Sequence, residues 1–295
     1  MPAKIIDGKA VAQEMREELR AEVAQLKSRG IVPGLGVILV GDNPASKSYV
    51  TAKEKACEEI GIYSDDNRLP AATTQAELLA LVRRMNADPR IHGILVQLPL
   101  PEHLNEAEVL LAIEPAKDVD GFHPMNVGRM VVGERAFLPC TPHGVIQLLL
   151  RSQVRLDGAH VVIVGRSNIV GKPLANLLMQ KAPTGNATVT VCHTRTRNLA
   201  EHTRRADIVI AAAGRPNTIT ADMIREGAVV IDVGVNRVDD ASKKSGFRLV
   251  GDVDFERVQE KAALITPVPG GVGPMTITML LYNTVESAKR AAGLI

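Results

Sequence analysis

Short apolar runs alternate along the chain with stretches in which apolar residues recur every three or four positions, a rhythm that predicts a parallel α/β architecture. Val11, Met15, Leu19, Val23 and Leu26 share one face of a helix predicted from about Ala10 to Arg29, which Gly30 ends. Leu35–Gly41 (LGVILVG) reads as a buried strand, followed by a helix at about Ala45–Ile60, a crossover helix over Leu78–Met85, and a strand at Gly93–Pro101 closed by its own prolines. Between Lys117 and Thr141 the segments KDVDGFHPMNVGRM and FLPCTP are rich in Gly, Pro and Asp and predict a passage between two lobes. Beyond it, strands at His160–Gly165, Thr188–Cys192, Asp207–Gly214 and Val229–Gly234, with a helix from about Pro173 to Met179, form the βαβ series of a dinucleotide-binding domain. After TPVPGGVGP (Thr266–Pro274) a last helix runs from about Thr276 to Ala292, and its apolar stripe is expected to pack back on the first lobe. The expected fold is therefore α/β and two-lobed with a cleft between the lobes. Residues 1–139, completed by 270–295, make the first lobe, and 140–269 make a Rossmann-like second lobe.

Composition narrows this picture. Of 295 residues 45% are hydrophobic but only 2% aromatic, with no Trp, so the core must be aliphatic, as Val/Ile-rich parallel strands under Leu/Ala helices require. The same scarcity argues against a stacking platform for single-stranded nucleic acid. A formal net charge of +2 without a long block of one sign suggests no polyanion-binding surface. Cys57, Cys140 and Cys192 are scattered, with no CxxC spacing, and read as reduced thiols, neither a disulfide framework nor a metal site. The N-terminus shows no secretory pattern, and no apolar run approaches the ~18–20 residues that span a bilayer, so a cytoplasmic protein without a membrane partner is expected.

Two regions carry candidate chemistry. Gly165-Arg166-Ser167-Asn168-Ile169-Val170-Gly171 joins a buried strand to a helix, where backbone N–H groups and glycines suit a diphosphate, although any α/β protein can contain a tight turn there. An NAD site usually places Asp or Glu at the end of the second strand; this chain has Cys192-His193-Thr194-Arg195-Thr196-Arg197. Arg can hold a 2′-phosphate that a carboxylate would repel, which favours NADP, unless these are simply solvated loop residues. In the first lobe, Tyr49 and Lys53 share a helix face near the carboxyl edge of the strands, and burial would bring a lysine towards acid–base chemistry near neutrality. Solvated surface lysines are the alternative. Gln97 interrupts the apolar run Ile94–Leu98, where its amide must find a core partner or a ligand. Of Asp118 and Asp120, one is expected to cap a turn and the other to face the cleft. Pro267–Pro274 reads as a ligand-cradling loop or a rigid connector.

These segments together resemble the bifunctional methylenetetrahydrofolate dehydrogenase/methenyltetrahydrofolate cyclohydrolase family over essentially the whole chain. The matching stretches are Tyr49–Lys53, ILVQLPLP at Ile94–Pro101, KDVDGFHPMNVG at Lys117–Gly128, GRSNIVGKP at Gly165–Pro173 and ITPVPGGVGPMT at Ile265–Thr276. The resemblance implies a metal-free enzyme of one-carbon metabolism. It would oxidise 5,10-methylene-tetrahydrofolate with NADP and hydrolyse the 5,10-methenyl product to 10-formyl-tetrahydrofolate. It implies Lys53 as the acid/base, with Tyr49 and Gln97 positioning it and Asp120 bonding the pterin ring. Val96, Leu98, Pro269, Gly270, Gly271, Gly273, Pro274 and Ile277 would line the folate pocket. Gly165, Arg166, Ser167, Ile169, Thr194, Arg195 and Ile231 would contact NADP. Thr194 stands where many relatives have Ser, keeping the hydroxyl. The family resemblance also implies a homodimer formed through the cofactor lobe. The rival readings are a dehydrogenase that has lost the hydrolase step and a non-catalytic NADP-binding protein on the same scaffold.

Overall fold

The apolar run Gly34–Val40 forms a strand with all seven residues buried, as a strand covered on both faces must be. The computed structural model describes residues 2–243 and 246–295 and divides into two units. One comprises Gln13–Cys140 with Ile277–Ile295; the other comprises the chain up to Ala12 with Thr141–Thr276.

In the first of these units Gly34–Val40 lies between Tyr63–Leu69 and Gly93–Val96, parallel to both. Parallel neighbours need crossovers, supplied by the helices Pro44–Ile60 and Gln75–Ala87. The latter opens with a reciprocal capping box between Thr74 and Glu77 and buries Leu78, Leu81, Val82 and Met85 against Ile38 and Ile94. The third strand ends at Val96, earlier than its apolar run suggested: the Gln97 N–H still donates to the Ile38 carbonyl at 2.9 Å, but Pro99 and Pro101 have no N–H to continue the ladder. Tyr63–Leu69 was not expected as a strand, because YSDDNRL is polar; it is an edge strand whose seven residues all pair with Gly34–Val40. The segment after Lys117 extends the opposite edge through a parallel bridge between Ile94 and Asp118. The glycine-rich passage is not irregular throughout, since it contains the helix Pro124–Val132, capped by the His123 side chain and stopped by Gly133. From Ile277 onward the C-terminal helix Val272–Ala291 is bound into this unit. Asn283 Nδ2 donates to the carbonyls of Val119 (2.8 Å) and Leu138 (2.9 Å), and Ser287 Oγ to those of His92 (2.5 Å) and Ala116 (2.9 Å).

The other unit holds six parallel strands in the order Lys4–Ile5, Leu264–Ile265, Val229–Asp232, Ile208–Ala211, His160–Val164, Thr188–Cys192. The first strand pairs with Leu264–Ile265, so the start of the chain groups here and not with the N-terminal lobe in which chain order had placed it. From His160–Val164 the chain moves first to Thr188–Cys192 on one side and then to Ile208–Ala211 on the other. That reversal is the switch point at which doubly wound sheets bind ligands. An antiparallel hairpin, Asn236–Asp239 with Phe247–Val250, is appended. Among the described residues no helix is long and apolar enough to cross a membrane.

Candidate active site

Three segments end side by side at the carboxyl edge of the three-stranded sheet, the edge at which parallel sheets bind ligands. The helix Pro44–Ile60, which follows strand Gly34–Val40, carries Lys53, and Gln97 comes directly after Val96. Asp120 lies in the turn directly after Asp118, which bridges Ile94, and it is close enough to Lys53 to feel its charge. Lys53 is only 8% exposed, and its Nζ donates to Gln97 Oε1 at 3.1 Å. Gln97 Nε2 in turn donates to the Leu98 carbonyl at 2.7 Å. The amide that interrupts an apolar run is thus held at both ends, and it aims the lysine head.

Asp120 is half-buried, and burial pushes its carboxyl up to about 6; the positive charge of Lys53 acts against this rise and the negative charge of Asp118 adds to it. Asp118 has a separate structural task. It accepts the N–H groups of Phe122 (3.1 Å) and His123 (2.9 Å) and Asn126 Nδ2 (2.8 Å), closing the turn before helix Pro124–Val132. Tyr49 stands one helical turn before Lys53 and is 40% exposed; Val96 is buried and Leu98 partly exposed.

Two further groups beside this cluster carry no signature in the residue pattern. Burial pushes the Cys140 thiol well above its ordinary value, so it keeps its proton, and its Sγ lies 3.4 Å from the Val119 carbonyl. Asn283 spans Val119 and Leu138 and so braces the backbone next to Asp120. Only burial and long-range pairing reveal these roles.

In the six-stranded unit the Gly165–Gly171 turn joins strand His160–Val164 to helix Gly171–Met179, at the switch point. Gly165 has φ +144°, and a Cβ there would overlap the Ala212 carbonyl oxygen; a Cβ at Gly171 would overlap that of Gly165. Both glycines are therefore needed for two backbone segments to approach, leaving the concave main-chain cradle that a diphosphate requires. Ser167 Oγ accepts the Val170 N–H at 3.1 Å and tightens the turn. Arg166, Ser167 and Ile169 are exposed, as are Thr194 and Arg195 after strand Thr188–Cys192. Among the described residues Arg166, Arg195 and Arg197 form no ion pair, so their guanidiniums are available to a phosphate. Ile231 is fully buried in strand Val229–Asp232, so its side chain belongs to the core. The residues present thus fit an NADP molecule. The expected loop is shorter than Pro267–Pro274: Gly270 has φ +108° and Gly271 is buried, but the last helix already begins at Val272, so Gly273, Pro274 and Ile277 are helical, Ile277 being 8% exposed.

The loop after strand Ile208–Ala211 hangs on one buried carboxylate. Asp252, fully buried, accepts the N–H groups of Ala213 (2.6 Å), Gly214 (2.8 Å) and Arg215 (2.9 Å) and Asn236 Nδ2 (2.8 Å). Asp232 in turn accepts the Asp252 and Val253 N–H groups, both at 2.9 Å, and burial pushes its carboxyl up to about 6. Asp252→Ala removes the shared acceptor of the Ala213, Gly214 and Arg215 N–H groups, at about 0.5–1.5 kcal/mol per hydrogen bond. Urea denaturation is expected to show a loss of about 3 kcal/mol or more; a loss under about 1 kcal/mol would mean that the loop does not depend on this carboxylate.

Residues 6–120 match the catalytic-domain model of tetrahydrofolate dehydrogenase/cyclohydrolase, and residues 139–292 match the NAD(P)-binding-domain model of the same enzymes. The chain belongs to the tetrahydrofolate dehydrogenase/cyclohydrolase family. It is 62% identical over 294 residues to the bifunctional protein FolD of Syntrophus aciditrophicus, with 100% of each chain covered. Its fold matches the crystal structure of the bifunctional FolD enzyme from Campylobacter jejuni, with a TM-score of 0.92, 53% identity and coverage of 98% of this chain and 99% of that one. It also matches the Trypanosoma brucei methylenetetrahydrofolate dehydrogenase-cyclohydrolase solved with NADP and an inhibitor, with a TM-score of 0.94, 44% identity and 99% of each chain covered. Within the family's two parts, Lys53, Gln97 and Asp120 fall in the catalytic-domain match and the Gly165–Gly171 turn in the NAD(P)-binding match.

Proposed function

We propose that this enzyme oxidises 5,10-methylene-tetrahydrofolate with NADP and hydrolyses the 5,10-methenyl product to 10-formyl-tetrahydrofolate, within the interconversion of tetrahydrofolate carriers. The observation that carries this reading is the buried Lys53–Gln97 hydrogen bond beside Asp120, in a chain whose two halves match both parts of a two-activity family. Bound NADP supplies the acceptor for the hydride leaving the methylene carbon. The Gly165–Gly171 backbone would hold its diphosphate, with Arg166 and Arg195 at the 2′-phosphate. The lack of a carboxylate after Cys192 supports NADP over NAD.

Asp120, an acceptor while ionised, would bind the N–H donors of the pterin edge and fix the folate's orientation. In the hydrolytic step water adds to the electrophilic methenyl carbon and loses one proton to solvent. As the bond from that carbon to the ring nitrogen N5 breaks, the Lys53 ammonium gives a proton to N5, and the amine so formed takes the remaining O–H proton as the formyl carbonyl forms. Gln97 Oε1 holds Nζ in line for both transfers, and Tyr49 closes the side of the site one turn away. A positioned acid/base of this kind contributes about 10²–10⁴-fold.

Asp120 makes the step pH-dependent. Its carboxyl sits near 6, so it is ionised above that pH and gains a proton as the pH falls through it. The folate kcat/KM is expected to fall about tenfold per pH unit below about 6, and this limb should vanish in Asp120→Asn above a lowered plateau. A limb that persists in Asp120→Asn would assign it to another group.

We also infer a cytoplasmic homodimer formed through the six-stranded unit. In support, Thr188–Cys192 is an open sheet edge with Val191 exposed, and the three cysteines are free and buried thiols.

A further inference from the structure

A groove of about 1130 Å³ opens at the amino end of the three-stranded sheet, the end opposite Lys53, Gln97 and Asp120. Its walls come from the segment just before strand Gly34–Val40, from His92 just before strand Gly93–Val96, and from the C-terminal helix. The proposed folate chemistry uses none of these residues.

The charge of the lining is one-sided. Arg90, Lys117, Arg129 and Arg290 face Glu114, the single carboxylate among the lining residues. Arg90 is already held by Asp88, Nη2 to Oδ2 at 2.7 Å. Lys117 Nζ donates to the carbonyls of Met85 (3.1 Å) and Asp88 (2.8 Å), which orient the ammonium without neutralising it. Arg129 and Arg290 have no carboxylate in ion-pair range among the described residues. Arg290 lies with its Cζ 4.2 Å from the centre of the Phe137 ring, and its Nε is buried without a hydrogen-bond acceptor. An orphaned, buried guanidinium N–H is costly and rare in a folded protein, and an acceptor arriving from outside would relieve it. Burial lowers the Arg290 pKa and the charges of Arg135 and Arg129 lower it further, while Glu286 and Tyr282 act against the fall. The rest of the lining mixes apolar and polar groups: Ile31, Val32 and the Tyr63 ring are partly or well exposed, Ile91 and Phe137 are almost fully buried, and His92, Asn126 and Ser287 are polar.

We propose that this groove is a second ligand site, binding a small organic anion whose carboxylate or phosphate is held by Arg290 and Arg129 and whose apolar body rests on Ile31, Val32 and Tyr63. Guanidinium recognises both head groups by paired hydrogen bonds, and the aliphatic and aromatic wall selects for a hydrocarbon body over a bare inorganic ion. The site lies apart from the proposed catalytic residues, so binding there is tested directly and turnover serves as the control.

The test is a methyl-selective NMR titration of protein labelled at Ile and Val, using benzoate, phenyl phosphate and inorganic phosphate as probes. Saturable shifts of Ile31 and Val32 are expected with benzoate or phenyl phosphate, whichever head group the site prefers, and at least about tenfold weaker binding of inorganic phosphate. Arg290→Gln, and independently the exposed Arg129→Gln, should each weaken the organic probe about tenfold while the spectrum elsewhere stays native. Turnover by the Arg129→Gln protein should match the unaltered protein. Absence of saturable shifts with either organic probe, or shifts that both variants leave unchanged, would overturn the proposal. Equal binding of inorganic phosphate would overturn the apolar half of it.

Discussion

Lys53→Met is expected to slow hydrolysis of 5,10-methenyl-tetrahydrofolate by about two to four orders of magnitude, with the protein still folded and still binding NADP. Methionine keeps the length and flexibility of the side chain but cannot carry a proton, so the change removes the proton relay and little else. The stability terms oppose each other. Gln97 Oε1 loses its 3.1 Å donor, at about 1–3 kcal/mol, while a buried ammonium disappears from a site only 8% exposed. Their near-balance predicts a native thermal transition. The nucleotide turn lies in a different unit of the chain, so fluorescence titration with NADPH should give an affinity close to that of the unaltered protein. Hydrolysis of preformed methenyl substrate at the unaltered rate would remove Lys53 from the chemistry.

The reciprocal loss is expected for Gly165→Ala. An alanine methyl there meets the Ala212 carbonyl oxygen, and φ +144° is a conformation that a residue with a Cβ adopts only under strain. The backbone must shift where the diphosphate is to lie, and a displaced main-chain donor cannot be replaced by a rotamer change. NADP binding and the dehydrogenase rate should fall at least about a hundredfold, since misplacement by about 1 Å costs that much. Hydrolysis of preformed methenyl-tetrahydrofolate should persist, because Lys53, Gln97 and Asp120 belong to the other unit. Together the two substitutions separate the activities in opposite directions. If both activities fell in parallel in each variant, the division of labour between the units would be wrong.

Much of this arrangement was legible in residue patterns. The seven-residue run Gly34–Val40 and the runs His160–Val164 and Ile208–Ala211 are apolar because both faces of a parallel sheet are covered, and their periodicity marks them as buried strands. Gln97 stood out because an amide inside such a run needs partners, and the structure supplies Lys53 and Leu98. What stayed hidden depends on distant partners. Tyr63–Leu69 is a strand because Gly34–Val40 pairs with it, not because its polar sequence prefers one. Lys4–Ile5 pairs with Leu264–Ile265, a contact that no local window contains. The work of Asn283 and Asp252 is equally invisible: an Asn in an amphipathic helix and an Asp near a turn look like solvated residues until burial shows them bracing backbone. The two aspartates of Lys117–Gly121 could be told apart only once the Phe122, His123 and Asn126 donors were seen to converge on Asp118.

The most direct test of the whole account is one spectrophotometric time course: enzyme with 5,10-methylene-tetrahydrofolate, run in parallel with NADP and with NAD. NADPH should form, the methenyl intermediate should accumulate little because Lys53 hydrolyses it, and turnover with NAD should be markedly slower. Nucleotide binding without reduction, or a methenyl product that builds up and decays no faster than in buffer, would contradict it.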